Sequence, residues 1–172
     1  MSMTLIGTAS VPAGSGQFSL DFMSIPQTFT DLVMVVSIRN TVNNSDATLY
    51  MNGFDTLTSM RILDGNGSTA SSTNLSSTDA FPVVPSTHTS NTYGNSVFYF
   101  PNYTSSGNKS FSLDGVAENN ATTAVQRLGA GLYTGAAITS MGMYCLGGGN
   151  IAQFSSASLY GILKGSGGAT VS

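Results

Sequence analysis

Few of the 172 residues in this chain could do chemistry. His88 is the only histidine and lies in Pro85-Ser-Thr-His-Thr-Ser90. A nucleophilic triad needs a histidine within hydrogen-bond reach of both a nucleophile and an orienting carboxylate. So many residues here are Ser or Thr that a hydroxyl near His88 is expected by chance, and it reads as a solvated loop histidine. Asp114 and Glu118 would share a face if they lie on one strand. Paired carboxylates about 5–10 Å apart are the tools of a glycosidase. Most of the other acids sit at or near turns, where Asp ordinarily serves to bond the backbone. Asp64-Gly-Asn-Gly67 has a faint likeness to a calcium loop, without its ordered ligand spacing or terminal Glu. One Cys and one His exclude a zinc site. Cys145 falls in the apolar run Met141-Gly-Met-Tyr-Cys-Leu146 and reads as a buried, inert thiol. No catalytic, cofactor-binding or metal-ligating residue is therefore expected, and the chain reads as a non-enzyme.

Binding chemistry is equally sparse. The five Lys and Arg residues (Arg39, Arg61, Lys109, Arg127, Lys164) are scattered and the net charge is −3, so no cationic stripe is available for nucleic acid. Tyr93, Tyr99, Tyr103 and Tyr133 could line a sugar-binding face, but packing in a core or against a sheet explains them as well. Asn-x-Ser/Thr sequons begin at Asn43, Asn66, Asn74, Asn102, Asn108 and Asn120. In a chain this rich in Asn, Ser and Thr they carry no signal of glycosylation. No apolar run is long enough to span a membrane as a helix. The first residues, Met1-Ser-Met-Thr-Leu-Ile-Gly, lack the pattern of a signal peptide, so synthesis in a reducing cytoplasm is expected.

The stretch Thr30–Arg39 is the element around which the others are organised. Leu32, Met34, Val36 and Ile38 alternate with Asp31, Val33, Val35 and Ser37, and there is neither Gly nor Pro. Such near-continuous apolarity predicts a central strand covered on both faces. Further strands are expected over Thr4–Val11, Phe18–Phe22, Leu49–Met51, Leu57–Leu63, Ser96–Phe100 and Lys109–Asp114. Three more follow at Val125–Tyr133, Ala137–Leu146 and Gln153–Leu163. Asn52-Gly53 and Gly147-Gly-Gly149 are turn signals. No segment has the period of an amphipathic helix. About eight to ten short strands without helical crossovers predict an all-β, antiparallel two-sheet sandwich of the jelly-roll kind. One domain over 1–164 and a flexible Gly-rich tail over 165–172 are expected.

Charged residues make up 8% of the chain, against about 25% in ordinary soluble domains. Ser, Thr, Asn and Gly occupy the vacated positions. A surface with so little self-repulsion suits a protein that lives in an assembly. The polar excursion Ser68–Thr92 is long for a connection within a domain. It has room for one short strand, and it or a terminus is expected to touch a neighbouring subunit or another component of its assembly, with Phe81, Val83 and Val84 as apolar anchors.

Four blocks carry a family resemblance. They are Ile25-Pro-Gln-Thr-Phe-Thr-Asp-Leu-Val-Met-Val-Val-Ser37, Leu49-Tyr-Met-Asn-Gly53, Pro101-Asn-Tyr-Thr-Ser-Ser-Gly-Asn-Lys-Ser-Phe111 and Ser155-Ser-Ala-Ser-Leu-Tyr-Gly-Ile162. Together they resemble small jelly-roll virion surface proteins of tailed bacteriophages. The resemblance implies a capsid decoration (cement) protein, bound to the major capsid protein across capsomer boundaries and commonly trimeric. Its other implication is a tail fibre or spike domain that binds a host receptor or glycan.

Overall fold

The computed structural model of the chain describes residues 2–53, 59–75, 79–120 and 123–163. The expected all-β fold is present, and no helix occurs among the described residues. The first strands are β1 (Ser2–Ser10), the short β2 (Gly16–Gln17), β3 (Ser19–Phe22), β4 (Asp31–Ile38) and β5 (Asp46–Met51). A hairpin of β6 (Ser59–Gly65) and β7 (Ala70–Leu75) follows, then β8 (Asp79–Pro82) and β9 (Gly94–Pro101). A second, longer hairpin pairs β10 (Lys109–Glu118) with β11 (Ala124–Tyr133). The chain closes with β12 (Met141–Cys145), the short β13 (Ile151–Ala152) and β14 (Ser156–Leu163).

An eight-stranded sheet runs β1-β14-β4-β9-β10-β11-β6-β7 and faces a four-stranded sheet, β3-β12-β5-β8. Without the two hairpins and the short strands β2 and β13, the order is that of a jelly roll. The first strand lies beside the last, β14, then β4 and β9. On the other sheet β3 lies beside β12, then β5 and β8. The two hairpins are insertions that widen one sheet beyond β9. All ladders between named strands are antiparallel. Among the described residues the one parallel contact is an isolated bridge between Arg39 and Val84.

Strand β4 sits where its pattern requires, between β14 and β9, with Leu32, Met34, Val36 and Ile38 fully buried between the sheets. Phe98 and Phe100 of β9 stand beside them. Phe98 meets Phe81 edge-on at 5.2 Å between ring centroids, and Phe100 meets Phe111 at 5.2 Å. The opposing sheet contributes Leu49, Met51, Met141 and Met143. Under the widened part of the large sheet the strands cover themselves. A Cβ on Gly131 would fall 2.0 Å from the ring of Phe111, and one on Gly129 would fall 2.5 Å from the Met60 methyl. Large side chains from β10 and β6 thus lie flat over glycines of β11, which removes their apolar area from water.

Two expectations change here. The excursion Ser68–Thr92 holds two strands, β7 and β8, where at most one short strand is expected. Phe81, Val83 and Val84 are not anchors for a neighbour. All three are fully buried, Phe81 against Phe98, because β8 pairs with β5 and brings this apolar island into the sandwich. Leu57, Thr58 and the segment 165–172 lie outside the described residues.

Candidate functional site

Six charged or titratable side chains, Arg39, Asp46, Asp64, His88, Glu118 and Arg127, collect at one end of the sandwich. Arg39, just past β4, binds the loop between β8 and β9 through four carbonyls. It donates to Thr89 O at 2.8 Å, Thr92 O at 3.1 Å, Ser86 O at 3.1 Å and His88 O at 3.1 Å. His88 is carried against the end of β10, where its Nδ1 lies 3.2 Å from the backbone oxygen of Glu118. The Glu118 carboxylate lies 2.9 Å from Thr92 Oγ1. Burial pushes its pKa up, but bonds from Thr89 and Thr92 and the charge of His88 outweigh this and hold it below the usual range. Beside it, Arg127 of β11 clamps two carboxylates. Its Nε and Nη2 reach Asp64 at 2.7 and 3.0 Å, and its Nη1 reaches Asp46 at 2.7 Å. A cleft of about 290 Å³ opens between these groups, lined by Ser45, Val83, His88, Glu118, Val125 and Arg127.

The groups in this cleft are engaged with one another. The His88 ring meets a backbone carbonyl, Glu118 is held by threonines, and Arg127 is held between two aspartates. These contacts join the ends of β5, β6, β10 and β11 to the β8–β9 loop. Asp114 and Glu118 do share a face of β10, yet residues four apart on a strand are separated by about 13 Å, beyond the reach of a carboxylate pair acting on one bond. Asp64 of the calcium-like stretch is paired with Arg127. Asn66 closes the β6–β7 turn by accepting from the amides of Ser68 at 3.0 Å and Thr69 at 2.8 Å. Among the described residues no cluster of three or more His, Cys, Asp and Glu could hold a metal ion.

The four tyrosines do not form a face. Tyr103 and Tyr133 are buried, with hydroxyls bonded to Pro26 O and to Asn52, the latter at 2.9 Å. Tyr93 donates to Gln153 O at 2.9 Å and Tyr99 to Asp31 at 2.9 Å. A different aromatic group gathers on the outside of the small sheet. Phe18 stacks on Tyr144 at 5.5 Å, and Tyr50 lies 6.0 Å from Tyr144. Tyr50 also donates to Asp21 across Gly142, and burial together with that carboxylate pushes its phenol pKa up. A groove of about 390 Å³ adjoins, lined by Asp21, Met23, Tyr50, Ser140 and Met141. Sequence reasoning missed this group because its members come from three separate parts of the chain.

Cys145 is buried in the core as expected, and burial pushes its thiol up to about 12. It should therefore resist maleimide at pH 8 in the folded protein and react within minutes in denaturant. Rapid labelling of the native protein would refute this placement.

A further feature is the outer face of the large sheet. Leu5, Tyr160, Val33 and Tyr99 stand side by side in one row across four strands. The next row runs Val35, Val97, Asp114, Leu128 and Leu63. Leu63 is 58% exposed, Leu5 55% and Leu128 45%. Most of the exposed large apolar side chains among the described residues lie on this one face. Compared with protein-family models, curated protein sequences and solved structures, the chain matches none.

Proposed function

We propose that this is a non-enzymatic structural protein of a tailed-bacteriophage particle, a decoration (cement) protein on the capsid surface. It binds the major capsid protein across capsomer boundaries as a homo-oligomer, a trimer being what the sequence resemblance implies. By preferring the assembled shell to its separated parts, it stabilises the shell by mass action.

The observation that carries this reading is the withdrawal of charge from the surface. Asp31 and Lys109 are buried, and Lys109 donates to the carbonyls of Ser105, Gly107 and Gly135 at 2.9, 2.7 and 2.8 Å. Arg39 and Arg127 bind loops and carboxylates of their own chain. What faces outward is mainly hydroxyl, amide and apolar. Such a surface packs against neighbours with little electrostatic cost, and it favours assembly over solitary solubility. The jelly-roll strand order agrees with the fold that the resemblance implies.

Quantitative mass spectrometry of purified particles tests the reading. Hundreds of copies per particle are expected for a shell component. A second reading, a tail fibre or spike domain that binds a receptor or glycan, is favoured by the Phe18–Tyr144–Tyr50 group beside Asp21. A few tens of copies or fewer, with glycan binding lost in Tyr144→Ala, would select that reading and overturn the first.

A further inference from the structure

The widened half of the large sheet presents an outer face that the described residues leave uncovered. From β9 to β7 this half carries Val97, Val116, Leu128 and Leu63, each well exposed. A shallow groove of about 540 Å³ runs over β11, β6 and β7, with Arg61, Leu63, Asn74 and Leu128 among its lining. Asp114 stands between Val97 and Leu128 in their row, and Ser112, Gln126 and Asn74 share the face, so exposed apolar side chains are interleaved with polar ones as in the mixed surface of a non-obligate interface.

We infer that the occupant of this face is a second copy of the same chain, packed face to face about a two-fold axis. Charge arrangement points to self-pairing. Among the described residues in the middle of this half, the exposed charges are one acid, Asp114 on β10, and one base, Arg61 on β6, whose Nη1 bonds Ser59, Met60 and Asn74 of its own chain. Glu118 lies at the rim, where the β8–β9 loop holds it. Asp114 stands level with Leu128 and Leu63, and Arg61 stands one row along, level with Ala130. β11 lies between them. A two-fold axis lying in the plane between the apposed outer faces of the two copies, and passing over β11 between Leu128 and Ala130, exchanges the two positions. Each Asp114 then meets Arg61 of the second copy, and Leu128 and Leu63 cover one another around the axis. An isologous contact needs this self-complementarity, in which each residue finds its own partner type across the axis.

Size agrees as well. With strands about 4.8 Å apart and about 3.3 Å per residue, the half face spans roughly 19 by 23 Å, on the order of 450 Å². Two copies would bury about 900 Å² by that measure, less than the roughly 1,200–2,000 Å² of stable specific interfaces and in the range of transient ones, so the association is weak, reversible and concentration-dependent.

Light scattering and sedimentation of the isolated protein test this without any virion, so the result stands apart from the decoration reading. The wild-type mass is expected to double between dilute and concentrated solution. Asp114→Lys and Arg61→Glu, each alone, should weaken the association at least about tenfold, and the double variant should restore it. Leu128→Arg should hold the mass at the lower value; if it does not fold, the exposed charge variants still decide. A mass independent of concentration overturns the inference, as does a double variant no better than the singles. Loss of shell binding in Leu128→Arg, with no change of mass at any concentration, would assign the face to the capsid instead and also overturn it.

Discussion

Val36→Asp is expected to leave almost no folded protein, whereas Val35→Asp, one residue away, should fold with a nearly unchanged melting temperature. Val36 is fully buried between the sheets, paired with Ser96 on one side and Ala157 on the other. Burial of a carboxylate there, with no cation to meet it, costs about 4–5 kcal/mol or more. A domain has only about 5–15 kcal/mol to lose. Val35 points the other way, is 39% exposed, and pairs with Val97 on the outer face. A charge there stays in water. Circular dichroism and thermal melts of the two variants are the measurement. Equal melting temperatures would mean that the faces of β4 are assigned wrongly, and with them the register of the whole large sheet.

Arg127→Met should produce the second large effect. Removal of the guanidinium leaves Asp46 and Asp64 facing a site from which their shared cation has gone. The penalty for an orphaned buried charge reaches about 3–5 kcal/mol. Asp46 retains 34% side-chain exposure and Asp64 25%, so water screens part of this, and about 2–3 kcal/mol is the reasonable expectation. For a domain of this size that lowers the melting temperature by roughly 5–12 °C. Arg127→Lys should fall between, since an ammonium cannot fork to Asp64 and also reach Asp46. Asp64→Asn added to Arg127→Met should recover part of the loss, because one of the two stranded charges is removed. A melting temperature unchanged in Arg127→Met would show that the clamp contributes nothing to holding β5, β6 and β11 together.

These two residues also divide what is local from what is not. The period-two alternation of Leu32, Met34, Val36 and Ile38 specifies a strand and its buried face, since alternate side chains on a pleated backbone must point to opposite sides. The same holds for β9 and β10, and Gly scattered among β-branched residues rules against helices everywhere. The all-β sandwich was therefore legible from residue types and spacing alone. The burial of Phe81, Val83 and Val84 was not, because an apolar island in a polar stretch looks the same whether it meets its own core or a neighbour. Only the pairing of β8 with β5 decides it. Arg127 is 63 residues from Asp64 and 81 from Asp46, and nothing near it in the chain announces either partner. β6, β10 and β11 are visible as strands in sequence, but β7 is not, because Ala70–Leu75 is almost wholly polar and carries no apolar alternation. The place of both hairpins beside β9, which widens one sheet and not the other, follows from long-range register. The open apolar face follows from it too. Alternation indicates that Val97, Leu128 and Leu63 share a side with the polar residues of their strands, but whether a second sheet covers that side depends on where the chain folds back. Local sterics set each strand, and contacts between residues far apart in sequence set which strands meet and which face is left uncovered.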